Sequence, residues 1–335
     1  MIERSVNFAR SRRMRCGSCR HEWSVSAEWL ECFNQALEGC PVCGTDCRGE
    51  DRPDFCADPE DPVQADSAVH DFYWYHSSTH ENWPDRNFDP TAPLTDETKR
   101  RMEVMGSRVG AVERWAERQK AKALHVGTYE AAIENMFRRM QDQGNSVDQF
   151  YLYRVRLNPS CVIQPGVHRE PTNFVGDAHL AEDCPPEINV LRYVNVHEDP
   201  SRVSLAVEPI AIHSVQRVSL PLFVDATDPW VLNAIARLLD AVSKPPSKPK
   251  ADSQRWKRPE VSALISEVHR LESEMSSELP LRLRETFRVE FDIKGFEASP
   301  AAFPRKVLGL TNLVTNAEAV FDALDTQSWH VCNST

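Results

Sequence analysis

The sequence predicts an α+β protein in three parts: a zinc ribbon, a central domain with a curved, split β-sheet and few helices, and a small α+β C-terminal appendage. Two observations support this prediction. Two Cys-x2-Cys pairs lie near the N-terminus, and short aromatic or β-branched runs alternate with few helical segments between residues 68 and 221. With 335 residues, the chain is long enough for about two domains with appendages.

The first element is the ribbon, which we expect to occupy residues 12–50. Cys16 and Cys19 form one pair, Cys40 and Cys43 form the second pair, and 20 residues separate the two pairs. Two thiolates three residues apart on a tight turn point to the same place, and two such pairs form the tetrahedral four-thiolate site that zinc favours. Cys47 can compete with Cys43 as a ligand, and disulfide pairing in a secreted protein is the alternative.

An acidic, proline-bearing stretch over residues 50–62 is typical of a linker. The central domain, residues 68–221, follows it. Its predicted strands are 72–75, 123–126, 149–157, 188–196, 203–207 and 215–220, and its predicted helices are 95–122 and 129–141, the second capped by Thr128.

The C-terminal third begins with a predicted helix within residues 222–243, and a Pro/Lys/Ser-rich linker follows at residues 244–259. In residues 260–335, apolar residues between Val261 and Met275 recur at helical spacing. Alternation of apolar and polar residues from Phe287 to Ile293 predicts a strand. We therefore expect a small α+β region, to which the sequence assigns no chemistry.

Composition limits the classes of function. Hydrophobic residues make up 41% of the chain and charged residues 27%, as in ordinary soluble proteins. No run approaches the roughly 18 apolar residues of a membrane span, so we expect no membrane partner. The N-terminal charges precede no apolar stretch, which argues against a secretory signal. Ten cysteines without a small-domain pairing pattern fit a reducing compartment, and we expect a cytoplasmic protein.

Charge is distributed unevenly along the chain. The net charge of −11 argues against a protein that binds nucleic acid over its whole surface. Residues 1–20 nevertheless contain one acid, Glu3, and six arginines: Arg4, Arg10, Arg12, Arg13, Arg15 and Arg20. This arginine arm can contact a phosphate backbone together with the ribbon. A solvated, mobile tail is the alternative.

Three segments of the central domain contain the predicted strands and the predicted helix start in a fixed order along the chain. YWYHSST (residues 73–79) ends a strand with a histidine, ALHVGTYEAA leads from a strand into a helix, and QFYLYRVRLNPS is a long strand. Over residues 72–220 this order resembles ADP-ribosyltransferases of the diphtheria-toxin, poly-ADP-ribose-polymerase and rifampicin-modifying kind. The resemblance implies NAD-dependent ADP-ribosyl transfer to an unknown acceptor (a protein, a nucleic acid or a small molecule) or NAD glycohydrolysis.

The resemblance also implies roles for individual residues. His76 matches the histidine that binds the adenosine ribose of NAD, and Ser77 or Ser78 stands where the family has Gly and Thr/Ser. The family's stacking tyrosine would fall near Leu124 or His125. The alternatives are that His125 stacks on the nicotinamide, that Tyr129 turns inward, or that the site is degenerate. Glu198 is our choice for the acid, with Asp177 and Glu182 as alternatives. The implied catalytic set is Glu198, His76 and His125, and the implied NAD contacts are His76, Ser77, Ser78, Thr128 and Tyr129.

Cleavage of the nicotinamide–ribose bond develops oxocarbenium character on the ribose, as in glycoside hydrolysis. A carboxylate bonded to the ribose 2′-OH stabilises that transition state more than the ground state, and the reaction requires no metal. A second hypothesis is a non-catalytic adaptor, in which the ribbon binds nucleic acid or protein and the middle domain is degenerate.

Overall fold

The computed structural model describes residues 1–85, 87–106, 109–144, 148–171, 177–244 and 262–332. These residues form a mixed α/β structure. The strands are β1 (Arg12–Arg15), β2 (Glu22–Val25), β3 (Asp54–Phe55), β4 (Trp74–Ser78), β5 (Leu124–Val126), β6 (Phe150–Leu157), β7 (His168–Arg169), β8 (Val190–Val194), β9 (Val203–Val207), β10 (Ile212–Leu220) and β11 (His330–Val331). The helices are α1 (Ala27–Asn34), α2 (Asp96–Met105), α3 (Ala111–Lys120), α4 (Tyr129–Asp142), α5 (Leu180–Asp183), α6 (Pro229–Ser243), α7 (Ala263–Ser277), α8 (Leu281–Arg284), α9 (Ile293–Ala298), α10 (Ala302–Thr315) and α11 (Ala317–Asp325).

The strands form three sheets. The N-terminal sheet has the order β2-β1-β3, and two four-stranded sheets have the orders β11-β10-β6-β4 and β5-β9-β8-β7. The two larger sheets meet where the backbones of Tyr75 and Gly127 exchange two hydrogen bonds of 2.9 Å. This contact brings β4 beside β5, just before α4 begins.

Helix α4 begins at the predicted position because Thr128 caps it, accepting the Ala131 N–H at 3.0 Å. Further along the helix, Ile133, Met136 and Phe137 are fully buried and pack in the largest hydrophobic core. That core also contains residues of β4, β6 and β10. The predicted helix over residues 95–122 is instead two helices, α2 and α3, with Gly110 at a φ of +79° between them.

The acidic stretch after residue 50 is not a linker. Asp54 and Phe55 form β3, which pairs with β1 and extends the N-terminal sheet beyond the expected boundary at residue 50. Further on, the buried Asp61 carboxylate accepts the backbone N–H groups of Val63 and Val203. These contacts fix the stretch against the central sheets.

The C-terminal third is not an appendage, because its side chains complete the largest core. Phe287 is 1% exposed and contacts Phe137 with 5.7 Å between ring centroids. The prediction of a strand from Phe287 to Ile293 is wrong. Its alternating apolar residues fill the core from an irregular segment that α9 follows. Strand β11 adds to the edge of β10. Residues 245–259 of the linker predicted at residues 244–259 lie outside the described residues.

Within the part of the chain that the structure describes, none of the helices has both the length and the apolar character needed to cross a membrane.

Candidate active site and metal centre

Four cysteine sulfurs meet beside the N-terminal sheet. The Sγ atoms of Cys16, Cys19, Cys40 and Cys43 all lie within 4.8 Å of one another. The Cys16–Cys43 and Cys19–Cys40 sulfur separations are 3.6 and 3.5 Å. A tetrahedral ion with bonds of about 2.3 Å needs sulfurs about 3.8 Å apart. The four side chains therefore fit a four-coordinate metal ion.

Local turns place these sulfurs. Cys16 follows β1 directly, and its N–H donates to the His21 carbonyl across the first turn at 2.9 Å. Thr45 donates hydrogen bonds that lower the pKa of Cys43 to about 6, which favours the thiolate. Cys47 lies outside this group, with its Sγ 3.9 Å from the Asn34 carbonyl. All ten cysteines are free of disulfides.

A cavity opens where the two larger sheets meet. His76 from β4, His125 from β5 and Glu198 from the β8–β9 loop all line it, together with Ser77. Its volume is about 70 Å³, room for a few water molecules and less than the roughly 300–1,000 Å³ of ordinary ligand pockets. A dinucleotide therefore requires the cavity walls to move apart.

The Glu198 carboxylate is fixed at one oxygen. Its Oε1 accepts hydrogen bonds from Asn135 Nδ2 at 3.1 Å and from Arg138 Nη2. Its backbone N–H donates to Asn195 Oδ1 at 2.9 Å, which closes a turn around the loop. Oε2 accepts no hydrogen bond from the described residues, so it can accept one from a ligand.

His76 is held as a neutral ring. Its Nδ1 lies 2.8 Å from the His125 carbonyl, and because a carbonyl only accepts, Nδ1 holds the proton. Burial lowers the pKa of His76 to about 3, which leaves Nε2 unprotonated at neutral pH. The ring stacks on Trp83 with 4.1 Å between centroids. His76 can therefore accept a hydrogen bond at Nε2.

His125 is oriented by a chain of hydroxyl and amide groups. Its Nδ1 lies 2.8 Å from Tyr193 Oη. Burial raises the pKa of Tyr193 well above its ordinary value, so the hydroxyl stays protonated at neutral pH. Ser204 bonds to the Tyr193 hydroxyl and accepts the Asn195 Nδ2 hydrogen at 3.0 Å. A Cβ at Gly127 would lie 2.8 Å from Ser204 Oγ, so glycine is needed beside this chain.

Three expected NAD contacts lie outside the cavity. Ser78 Oγ accepts the His80 N–H, and Thr128 donates to Asp199 Oδ2 at 2.8 Å while it caps α4. Tyr129 is 3% exposed, packs in the core and donates to the Leu313 carbonyl at 2.7 Å. Its position in the first turn of α4 directs it to the core, away from the cavity.

The alternative acids are also placed elsewhere. Asp177 forms an ion pair with Lys122, and Glu182 is exposed on α5. Neither lines the cavity that contains Glu198.

Sequence reasoning missed Asn135, Tyr193 and Asn195, all of which line the cavity. An Asn three residues before Glu198 is a recognisable turn signal, because its side chain accepts the N–H groups that follow. Tyr193 gave no comparable signal, since an aromatic residue within a strand is most often part of a core.

The arginine arm folds against the protein. Arg4 lies over the Trp74 ring at 4.3 Å, and Arg10 Nη2 lies 2.7 Å from Asp199 Oδ1. Arg12 is 3% exposed, 3.5 Å from Asp199 and 3.8 Å from Glu134. The expected alternative of a solvated tail is therefore wrong, and these three arginines are engaged within the chain.

Comparison of the chain with protein-family models, with curated proteins and with solved structures gives no match. Its function is therefore inferred from the geometry of the cavity and of the cysteine cluster.

Proposed function

We propose that the chain cleaves the nicotinamide–ribose bond of NAD and transfers ADP-ribose to an unidentified acceptor or to water. One observation supports this most directly: His76, His125 and Glu198 lie on different elements, up to 122 positions apart, and line one cavity. Three separately placed polar side chains converging in a cavity are the arrangement expected of a site.

In this proposal Glu198 stabilises the transition state. Its Oε2 accepts the ribose 2′-OH, and that hydrogen bond strengthens as positive charge develops on the ribose. Asn135 and Arg138 hold Oε1, so the carboxylate needs little reorganisation. His76 accepts a ribose hydroxyl at Nε2. The His125 ring, oriented by Tyr193, takes the place of the family's stacking tyrosine over the nicotinamide.

We further propose that the ion held by Cys16, Cys19, Cys40 and Cys43 is zinc. Four thiolate donors at tetrahedral separations suit zinc, and a closed set of protein ligands is typical of a structural site. The role of the zinc ion is structural, because a bound metal stabilises the folded form of the module that contains its ligands. Less than one zinc per chain by elemental analysis of the full-length protein would reject this assignment.

Nicotinamide release from NAD by the purified full-length protein tests the activity, with Glu198→Gln beside it. Charge-assisted hydrogen bonds contribute about 1.5–3 kcal/mol, so the variant should lose roughly 10- to 200-fold in kcat. Its affinity for NAD should stay within about threefold, because the hydrogen bond strengthens mainly in the transition state.

Glu182→Gln is the matched control, because it removes an exposed carboxyl that sequence reasoning had considered as the acid. If Glu198→Gln released nicotinamide at the wild-type rate and Glu182→Gln did not, the role of the catalytic acid would pass to Glu182. The proposal of an enzyme would be rejected if the wild-type protein bound no NAD and released no nicotinamide when cell lysate was added as a source of acceptors.

The alternative is then a zinc-ribbon adaptor for nucleic acid or protein. Salt-sensitive nucleic-acid binding would support it, although the engagement of Arg4, Arg10 and Arg12 within the chain weighs against such an interface. The ten thiols fit a reducing compartment, and the cytoplasm remains the proposed location.

A further inference from the structure

The loop that contains Glu198 is bound by the arginine arm. Arg10 donates from Nε and Nη2 to Asp199 Oδ1, at 3.1 and 2.7 Å. Nη2 also lies 3.2 Å from the Asp199 carbonyl and 2.7 Å from the Pro200 carbonyl. One guanidinium thus contacts a side chain and two successive carbonyls immediately after Glu198.

This loop has a backbone that depends on outside contacts. Asp199 and Ser201 have φ values of +48° and +74°, in a region that residues other than glycine rarely adopt. Asp199 is also 0% exposed, and a buried carboxylate is strongly disfavoured without cationic partners. Arg10 therefore stabilises both the charge and the unusual conformation.

The arm is continuous with the metal module. Ser201 Oγ accepts the Arg13 N–H at 2.8 Å and donates to the Arg13 carbonyl at 2.9 Å, so the loop is bonded to β1 itself. Strand β1 ends at Arg15, and the next residue is the proposed ligand Cys16. The cysteine cluster and the Glu198 loop are therefore linked through one short strand.

We propose that Arg10 is a positioning residue that fixes the loop over residues 195–202 and so places Glu198 in the cavity. The metal-binding module thereby completes the site through the arm. The effect on catalysis rests on the proposed function, whereas the effect on the loop does not.

The test compares Arg10→Gln with wild type in the full-length, zinc-loaded protein. Amide hydrogen exchange of the peptide that spans residues 195–202 reports the loop directly. The Glu198 and Asp199 amides, bonded to Asn195 and Glu134, should exchange at least about tenfold faster in the variant. The kcat for nicotinamide release should fall by about 10- to 100-fold, because small displacements of a catalytic group are costly. The Kd for NAD should change less than about threefold.

Arg15→Gln is the matched control, because it removes another arginine of the arm, one that lies on β1 and pairs with Glu22 at 3.9 Å and not with the loop. Its exchange rates and kcat should equal those of wild type. Arg10→Lys keeps the cation and should recover part of the loop protection, and it replaces Arg10→Gln if that variant fails to fold or to retain zinc.

Unchanged exchange of the loop in Arg10→Gln, or equal acceleration in Arg15→Gln, would overturn the proposal. A wild-type protein that binds no NAD and releases no nicotinamide, with cell lysate as acceptor source, would reject the proposed function without rejecting the role of Arg10. The exchange rates would then still decide whether Arg10 positions the loop.

Discussion

Glu130 is a buried carboxyl group on α4 whose surroundings disfavour its charge. It is 5% exposed and accepts the Asn7 N–H at 2.7 Å. Burial, with the nearby Asp199 carboxylate as a second cause, raises the pKa of Glu130 to about 7. The folded protein therefore holds this proton at pH values where the unfolded chain has released it.

A raised carboxyl pKa makes the free energy of unfolding fall as pH rises, because the folded state binds the proton more tightly. The contribution is fully present below about pH 4.5 and is lost as pH rises through about 7, up to roughly 3 kcal/mol. Glu130→Gln should lack this loss, because an amide does not titrate in this range, and its Oε1 can still accept the Asn7 N–H. Urea unfolding of both proteins between pH 4.5 and 8.5 measures how the free energy of unfolding of each depends on pH.

The exposed Glu117→Gln on α3 serves as the control and should follow wild type at every pH. A constant stability difference between Glu130→Gln and wild type across this range would contradict the predicted titration.

The candidate site shows which single residues a sequence can reveal. His76 and Glu198 stood out because a histidine ends an aromatic strand and an acid occupies a turn between two strands. The sequence did not indicate which of Tyr129 and Tyr193 reaches the cavity. One lies in a first helical turn and the other within a strand, and only the packing of α4 decides which of them reaches the cavity.

Helices and strands with local signals were predicted well. Thr128 caps α4 as expected, and β9 has the predicted bounds, because caps and turn residues act within a few positions. The segment from Phe287 to Ile293 was mispredicted because alternating burial also arises in an irregular chain that crosses a core. Strand β3 was missed because its two residues are held by β1, about 40 positions away.

Helix α4 gives a prediction about its cap. Thr128→Ala removes the cap, worth about 1 kcal/mol, and a hydrogen bond to the buried Asp199 carboxylate, worth about 1.5–3 kcal/mol. We expect a loss of about 3 kcal/mol in the free energy of unfolding, measured by urea denaturation.

Thr95 caps the exposed helix α2 through the Thr98 N–H at 3.1 Å, and it is the matched comparison. Thr95→Ala should cost about 1 kcal/mol or less. Equal losses in the two variants would show that the Thr128–Asp199 bond adds nothing.

Across the entire chain, the three expected parts share contacts that make them interdependent. If the ribbon and the central domain folded independently, residues 68–221 would stay folded without the metal, and this independent-domain prediction follows from the three-part division of the sequence. However, Phe8 packs on Tyr129 with 6.1 Å between centroids, and Arg10 and Arg12 neutralise Asp199. Such contacts depend on folding and were invisible in a sequence read one segment at a time.

Cys16→Ser with Cys40→Ser should therefore destabilise more than the N-terminal sheet. Because metal binding stabilises the module and the arm joins it to the core, we expect the main melting temperature to fall by at least about 5 °C. Differential scanning calorimetry measures the melting temperature, and elemental analysis measures the zinc content. Cys161→Ser with Cys184→Ser, outside the cluster, should leave the zinc content unchanged. A separate low-temperature transition with an unchanged main transition would restore the independent-domain prediction.

The packing of the C-terminal helices fixes when the protein matures during synthesis. Phe137 and Met136 of α4 share a core with Phe287, Leu310 and Leu324. A ribosome adds residues from the N-terminus at about 5–20 per second, so a nascent chain already contains every residue of the cavity many seconds before Leu324 emerges. Until then α4 lacks these contacts, and Asn135 and Arg138 on that helix cannot hold Glu198 rigidly. The cavity can therefore become rigid only after the C-terminal helices have emerged and packed on α4.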